Sequence, residues 1–477
     1  STLIKKLLGH ISIVVLLNLL VKPLWLLVEM EVQDQVGHDD WGLYAALLSF
    51  GFLFITLSDL GINQYATKSL AGDPGLMRSY FPNLLSFKFF LTLLYPVLMG
   101  VVAWFLGYPE QHIYFLVLLC LVHSGGQLMN FFRANFQAMQ RFSLDGFLSV
   151  FDRIVLLLIT IYLFYTQLDI TRFIYARVVT VIIAVIVFYA LIIRMYGWFK
   201  PKLDLPLVRN IITYSLSLAL MTVLYSIHDK VDQVMLERLA GRRENGLYAG
   251  AYRWLEAFSM YMWTVLPIFF ARFAYYIKDL KAQEKLLHQG QIITSLPLTL
   301  VSVFVWFYGE KLLFLFDQSS PEELAVMTQC LQALFVALWL NGNFAIFSTL
   351  LTSTGHENSV NVFAVLSILV NIGLNVYFIP IYGAIASAWT TAGSYFILSI
   401  CYICYFQLRL SIKVPYLQIL KLMFITLIVW GLFWIMDSQG WPWWLVTGLG
   451  VLAMGGLTLG LKLFSFQMLR DLRSQKE

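Results

Sequence analysis

Long unbroken runs of apolar residues, parted by short polar stretches, fill the chain from one end to the other. A membrane-spanning helix needs roughly 20 mostly apolar residues, and windows of that kind mark about fourteen spans. They lie near 4–29, 41–60, 80–106, 112–134, 145–166, 172–196, 209–231, 246–270, 288–308, 324–350, 359–380, 384–408, 414–436 and 442–464. The runs are continuous rather than alternating residue by residue, which excludes a transmembrane β-barrel. An all-α integral membrane fold is expected, and the short connections leave no room for a sizeable soluble domain. Lys5 and Lys6 precede the first run and no small-residue cleavage site follows it. A retained helix, not a signal peptide, is expected there.

The polar stretches are of two kinds in alternation. One set carries Lys5 and Lys6; Lys68 and Arg78; Arg133 and Arg141; Arg194, Lys200, Lys202 and Arg209; Arg272, Lys278, Lys281 and Lys285; Arg409 and Lys413; and Arg470, Arg473 and Lys476. The other set holds chiefly Arg172, Arg242, Arg243 and Lys311. Cytoplasmic loops concentrate Lys and Arg, so both termini are expected in the cytoplasm, which requires an even number of spans. The Arg242–Arg243 pair is the exception.

Composition agrees. The 477 residues are 60% hydrophobic and 12% charged, with a mean hydropathy of +0.76, against about 45–50% and about 25% in an ordinary soluble domain. The 16% aromatic content suits a chain with two membrane interfaces. The net charge of +5 is spent on span ends, so no nucleic-acid partner is expected. Cys120, Cys330, Cys401 and Cys404 all fall in apolar spans. The Cys401–Cys404 spacing lacks an accompanying His or second pair, so core packing is expected.

Gly42-Leu43-Tyr44-Ala45 recurs as Gly246-Leu247-Tyr248-Ala249, with Phe54 and Phe258 at matching offsets. Six spans separate the copies, so the halves run the same way and form a parallel repeat. The expected plan is two pseudo-symmetric six-helix lobes, 1–200 and 201–410, joined through the Pro-containing basic stretch 194–209. A further helix pair and tail occupy 411–477. Two related lobes around a cleft are a common transporter plan.

Ionisable groups inside spans cost roughly 2.5–3.5 kcal/mol each and usually face a cavity or one another. The spans carry Lys22, Asp59, Lys88, Asp152, Arg153, Arg177, Asp229, Lys230, Asp232, Arg253 and Glu256. Asp59, Lys88, Asp152 and Glu256 read as buried charges seeking partners. Lys22, Arg153 and Arg253, with Arg177, are expected to line a shared cleft. Such cations hold a phosphate, Arg bidentately and Lys as a point charge. A pyrophosphate-linked sugar is a ligand of that kind. No phosphate loop for ATP is present.

Three stretches carry a family resemblance: Val21-Lys22-Pro23-Leu24-Trp25 with Gly37 to Tyr44 and Ser58-Asp59-Leu60-Gly61; Asp232 to Leu236 with Gly246 to Arg253; and Val370 to Asn375 with Ile379-Pro380 and Tyr382-Gly383-Ala384. In order and spacing the chain resembles Wzx-type polysaccharide flippases of the multidrug/oligosaccharidyl-lipid/polysaccharide (MOP) exporter superfamily. The resemblance implies a two-lobe, MATE-like fold working by alternating access in the bacterial inner membrane. It implies an undecaprenyl-diphosphate oligosaccharide as cargo, carried from the cytoplasmic to the outer leaflet among membrane lipids and beside polysaccharide polymerase machinery. The resemblance also implies a sodium site at Asp232, Asn371, Asn375 and Thr391, although the position of Asn375 is acidic in the related lipid II flippases. No cofactor is expected beyond a coupling sodium ion or proton. Two other readings compete: a cation-coupled drug or metabolite antiporter of the same fold, and a membrane enzyme of polymerase or ligase type. The enzyme would normally carry a large external catalytic loop, and none is evident.

Overall fold

A computed structural model describes residues 2–66, 73–139 and 141–464, with side chains from residue 17 onward apart from those of residues 74, 142, 217 and 218. Lys68, Arg470, Arg473 and Lys476, and the side chains of Lys5 and Lys6, lie outside the described residues. Among the described residues the structure is helical and has no strand.

The chain divides into two compact units, residues 1–246 and 247–477. The first holds α1 (Thr2–Val36), α2 (His38–Leu53), the short α3 (Ile62–Tyr65), α4 (Pro74–Phe105), α5 (Glu110–Ala138), α6 (Phe142–Tyr165), α7 (Ile170–Tyr196) and α8 (Leu205–Ala240). Helix α9 (Arg242–Tyr275) starts at the division. The second unit continues with α10 (Leu280–Tyr308), α11 (Pro321–Ser353), α12 (Glu357–Tyr382), α13 (Ala384–Arg409), α14 (Tyr416–Ser438) and α15 (Trp443–Gly460).

Helix starts follow local chemistry. Asp73, Asp169, Asp204 and Asp279 accept from the backbone N–H three residues on, at 2.8–3.2 Å, and Ser320 does the same for Glu323. Each side chain satisfies one of the donors that a helix start leaves open. In the first unit α5 packs on α4 and α7, α2 on α5 and α8, and α1 on α6. In the second, α11 packs between α10 and α13, α12 packs on α13, and α14 on α10 and α15.

Eleven of the helices are long and apolar enough to cross a membrane, or twelve if the two parts of α8 count as one span. The expected fourteen is therefore not reached by length and composition among the described residues. The two further expected spans are α1, whose first residues have no described side chains, and α2, which has only 16 residues.

Helix α2 ends at a built break. A 3-10 turn, Ile55–Ser58, follows it, and then Leu60 and Gly61 take φ of 52° and 81°. A broken helix at membrane depth must have its freed carbonyls satisfied by protein. Tyr95 on α4 donates to the carbonyl of Gly51, and His123 Nε2 on α5 bonds that of Leu48 at 2.8 Å.

The two copies of the repeated tetrapeptide meet at a backbone crossing. A Cβ on Gly42 would lie 1.7 Å from the carbonyl oxygen of Arg242, and one on Gly246 would lie 2.0 Å from that of His38. The relation is reciprocal, each glycine abutting the residue four before the other. Asn245 Nδ2 donates to the Gly42 carbonyl at 2.7 Å, and Gln33 Nε2 to the Gly246 carbonyl at 2.8 Å.

Candidate functional site

Lys22 stands on α1, one residue before Pro23, with its side chain exposed. No hydrogen bond or ion pair holds it among the described residues. Arg153 and then Arg133, both positive, are the charges that act on it. Packing of α1 against α6 explains the first of these, because α6 carries the half-buried Arg153. Arg153 likewise makes no hydrogen bond or ion pair among the described residues. Two like charges inside apolar helices repel one another.

Arg133, counted with the basic charges of the connecting stretches although the expected span 112–134 just reaches it, lies inside α5, about a turn and a half before its end. Its Nε donates to Asp145 Oδ1 at 2.7 Å and its Nη2 to Oδ2 at 3.4 Å. Gln137 Nε2 adds a third donor to the same carboxylate at 3.0 Å.

Arg177 on α7 is half-buried and donates through Nη1 to Tyr44 Oη at 2.5 Å. Tyr44 is buried between Trp41 and Phe173, with ring centroids at 4.8 and 5.5 Å. Glu29 and Asp152 are the carboxylates whose charge reaches Arg177. Asp152 on α6 is thus close enough for its charge to act on Arg177 of the packed neighbour α7.

Asp59 and Lys88 form a closed pair. Lys88 Nζ lies 2.5 Å from Asp59 Oδ1, and Lys88 is fully buried. The same carboxylate accepts from the backbone N–H of Asn63 at 3.2 Å, so it caps α3. One acid both ends the break in α2 and ties it to α4.

Arg253 and Glu256 sit on α9 in the second unit, Arg253 buried and Glu256 half-buried. Lys22 and Arg153 are thus brought together in one unit, and Arg253 belongs to the other.

Asp232 is buried on α8 in the first unit. Asn371 and Asn375 on α12 and Thr391 on α13 are buried in the second. Asn375 Nδ2 donates to Asn371 Oδ1 at 3.0 Å, while Asn375 Oδ1 accepts from Thr390 Oγ1. Thr391 instead donates to the Ser387 carbonyl at 3.0 Å and lies 3.4 Å from Tyr248 Oη. Thr390, missed in the sequence, is a hydroxyl that meets Asn375. An apolar groove of about 350 Å³ opens beside Thr390, walled by Phe378, Tyr382 and Trp389, and offers no charge to an anion.

All four thiols are free. Cys120 and Cys330 are core-packed as expected, but Cys404 is exposed. The packed face of α13 there carries Tyr402 and Phe406, and Cys404 falls between them on the outer side.

Residues 7–271 match the model of a family described as polysaccharide biosynthesis protein. No curated protein matches the chain. Among solved structures, the lipid II flippase MurJ in an inward closed conformation is 15% identical, covers 94% of this chain and 98% of its own, and superposes with a TM-score of 0.70. An inward-facing multidrug resistance MATE family transporter of the MOP superfamily is 13% identical, with 84% and 97% covered and a TM-score of 0.60. A MOP superfamily transporter from Pyrococcus furiosus is 13% identical, with 84% and 95% covered and a TM-score of 0.54. At these identities the likeness establishes the fold alone: an all-α fold rich in apolar helices, shared with MurJ and the MATE family transporters.

Proposed function

The chain belongs to the polysaccharide biosynthesis protein family, and from that membership we propose that it is a flippase for a lipid-linked oligosaccharide. The cargo is an undecaprenyl-diphosphate oligosaccharide, moved from the cytoplasmic to the outer leaflet of a bacterial inner membrane by alternating access. Both termini are placed in the cytoplasm, following the distribution of Lys and Arg.

The observation that carries this reading is the pair Lys22 and Arg153, two neighbouring cations without an ion pair among the described residues. Each costs roughly 2.5–3.5 kcal/mol to place in a membrane helix. A diphosphate supplies the missing negative charge, taking a fork from Arg and a point charge from Lys. Arg177, engaged by Tyr44, has a supporting part. The fold likeness to a lipid II flippase supports a lipid carrier as cargo.

Transport is coupled to a sodium ion or proton at Asp232. An ion biases one access state only through its differential affinity for the two states.

One vesicle experiment tests both statements. Purified protein is reconstituted with a fluorescent undecaprenyl-diphosphate oligosaccharide, and the rate at which that lipid changes leaflet is measured. Wild type should flip it and Lys22→Ala with Arg153→Ala should not; equal rates contradict the flippase reading. In a sodium or pH gradient, wild type should respond and Asp232→Asn should not. An Asp232→Asn protein that still follows the gradient rules out the coupling role.

A further inference from the structure

We propose that Arg133 is a third headgroup-binding cation and that Asp145 and Gln137 are its positioning residues; this rests on the diphosphate reading of Lys22 and Arg153. The sequence placed Arg133 among the charges that set topology. The structure puts it in the helical body of α5, in the same unit as Lys22 and Arg153 and close enough for its charge to act on Lys22. The three cations stand on three different helices, α1, α5 and α6, and α6 packs against both of the others.

The geometry of the Arg133 pair is what separates binding from bracing. A guanidinium has five N–H donors. Asp145 takes the edge formed by Nε and Nη2, and Nη1 has no hydrogen-bond partner among the described residues. The acid is the more buried member, its side chain 12% exposed against 27% for that of Arg133. The guanidinium is therefore held by one edge from below, with its other edge open. Gln137 donates to Asp145 Oδ2 at 3.0 Å, so the carboxylate itself is fixed. An arginine fixed along one edge loses little rotamer freedom when its second edge takes a phosphate oxygen, and a planar fork is the geometry that phosphate prefers. A diphosphate, longer and more charged than a monophosphate, has oxygens enough for three cations.

The test uses the full-length protein in detergent and farnesyl diphosphate as the probe, with farnesyl monophosphate for comparison. Arg133→Ala should weaken diphosphate binding about tenfold or more, with a smaller loss for the monophosphate. Arg133→Lys keeps the charge but loses the fork, and should also bind more weakly than wild type. If Arg133→Ala does not fold, Arg133→Lys decides, and wild-type affinity in either variant overturns the proposal. Asp145→Asn gives opposite signs for the two roles. Removing a negative charge near an anion site should tighten binding if Asp145 acts by charge alone. Loss of a positioning group should weaken it, with recovery in Asp145→Glu, so tighter binding in Asp145→Asn overturns the positioning role. Lys22→Ala and Arg153→Ala serve as controls. If they lose affinity and the Arg133 variants do not, this inference fails and the flippase reading stands. If none of the four positions matters, the headgroup site itself is wrong.

Discussion

Asp59 and Lys88 set out what a charge inside a membrane span requires. Each is costly alone, and they are 29 residues apart on different elements, so sequence shows the cost of each and not the partner. The structure closes the pair at 2.5 Å and adds the Asn63 N–H to the same acid. Removing one member of a buried pair strands the other, at a cost of about 3–5 kcal/mol. Lys88→Ala should therefore lower the unfolding midpoint of the detergent-solubilised protein markedly. The double variant Asp59→Asn, Lys88→Met, which leaves no lone charge, should recover much of the loss. Equal stability of Lys88→Ala and wild type would show that the pair holds nothing together. At the same scale, α12 and α13 bring buried amides and hydroxyls together. Successive helical residues are set about 100° apart around the axis, so Thr390 faces Asn375 while Thr391 faces Tyr248. Residue type and neighbourhood were legible in the sequence; which of two adjacent threonines turns inward depends on how α13 is rotated against α12, and only packing decides that.

Among the elements, the apolar runs marked α4 to α15 closely because continuous hydrophobicity of that length has few other outcomes. The opening elements were harder to read. Nothing in residues 41–60 announces that α2 stops at Leu53, because the break is stabilised from α4 and α5 by Tyr95, Lys88 and His123. The repeated Gly-Leu-Tyr-Ala was visible, yet its first glycine's purpose was not, since the close approach is made by a stretch some 200 residues away. Arg242, the outlier in the charge pattern, lies 4.0 Å from Asp40 beside this crossing. The crossing yields a sharp expectation. Gly42→Val and Gly246→Val each drive a side chain into backbone that cannot move aside, and each should abolish transport or prevent stable insertion. Gly126→Ala and Gly373→Ala, at positions with open space around the Cβ, should leave transport intact and change stability by about 1 kcal/mol or less. Measuring transport and membrane-inserted yield for the four variants checks this; normal activity in the valine variants would mean the close approach has no role in the cycle.

For the molecule as a whole, family and fold were legible because three weak motifs fell in the right order along a chain whose composition already required a membrane. Function resolves to named groups less evenly. The first unit carries Lys22 and Arg153 on the packed helices α1 and α6, while the second unit buries hydrogen-bonded amides and hydroxyls. The central claim is that this protein moves a lipid-linked glycan between leaflets. The most direct measurement is to delete its gene and determine which lipid-linked oligosaccharide accumulates and on which leaflet. The account predicts a diphosphate-linked oligosaccharide trapped on the cytoplasmic leaflet, with surface polysaccharide lost and both restored by the wild-type gene. Unchanged surface polysaccharide, or the same lipid accumulating on the outer leaflet, would contradict it.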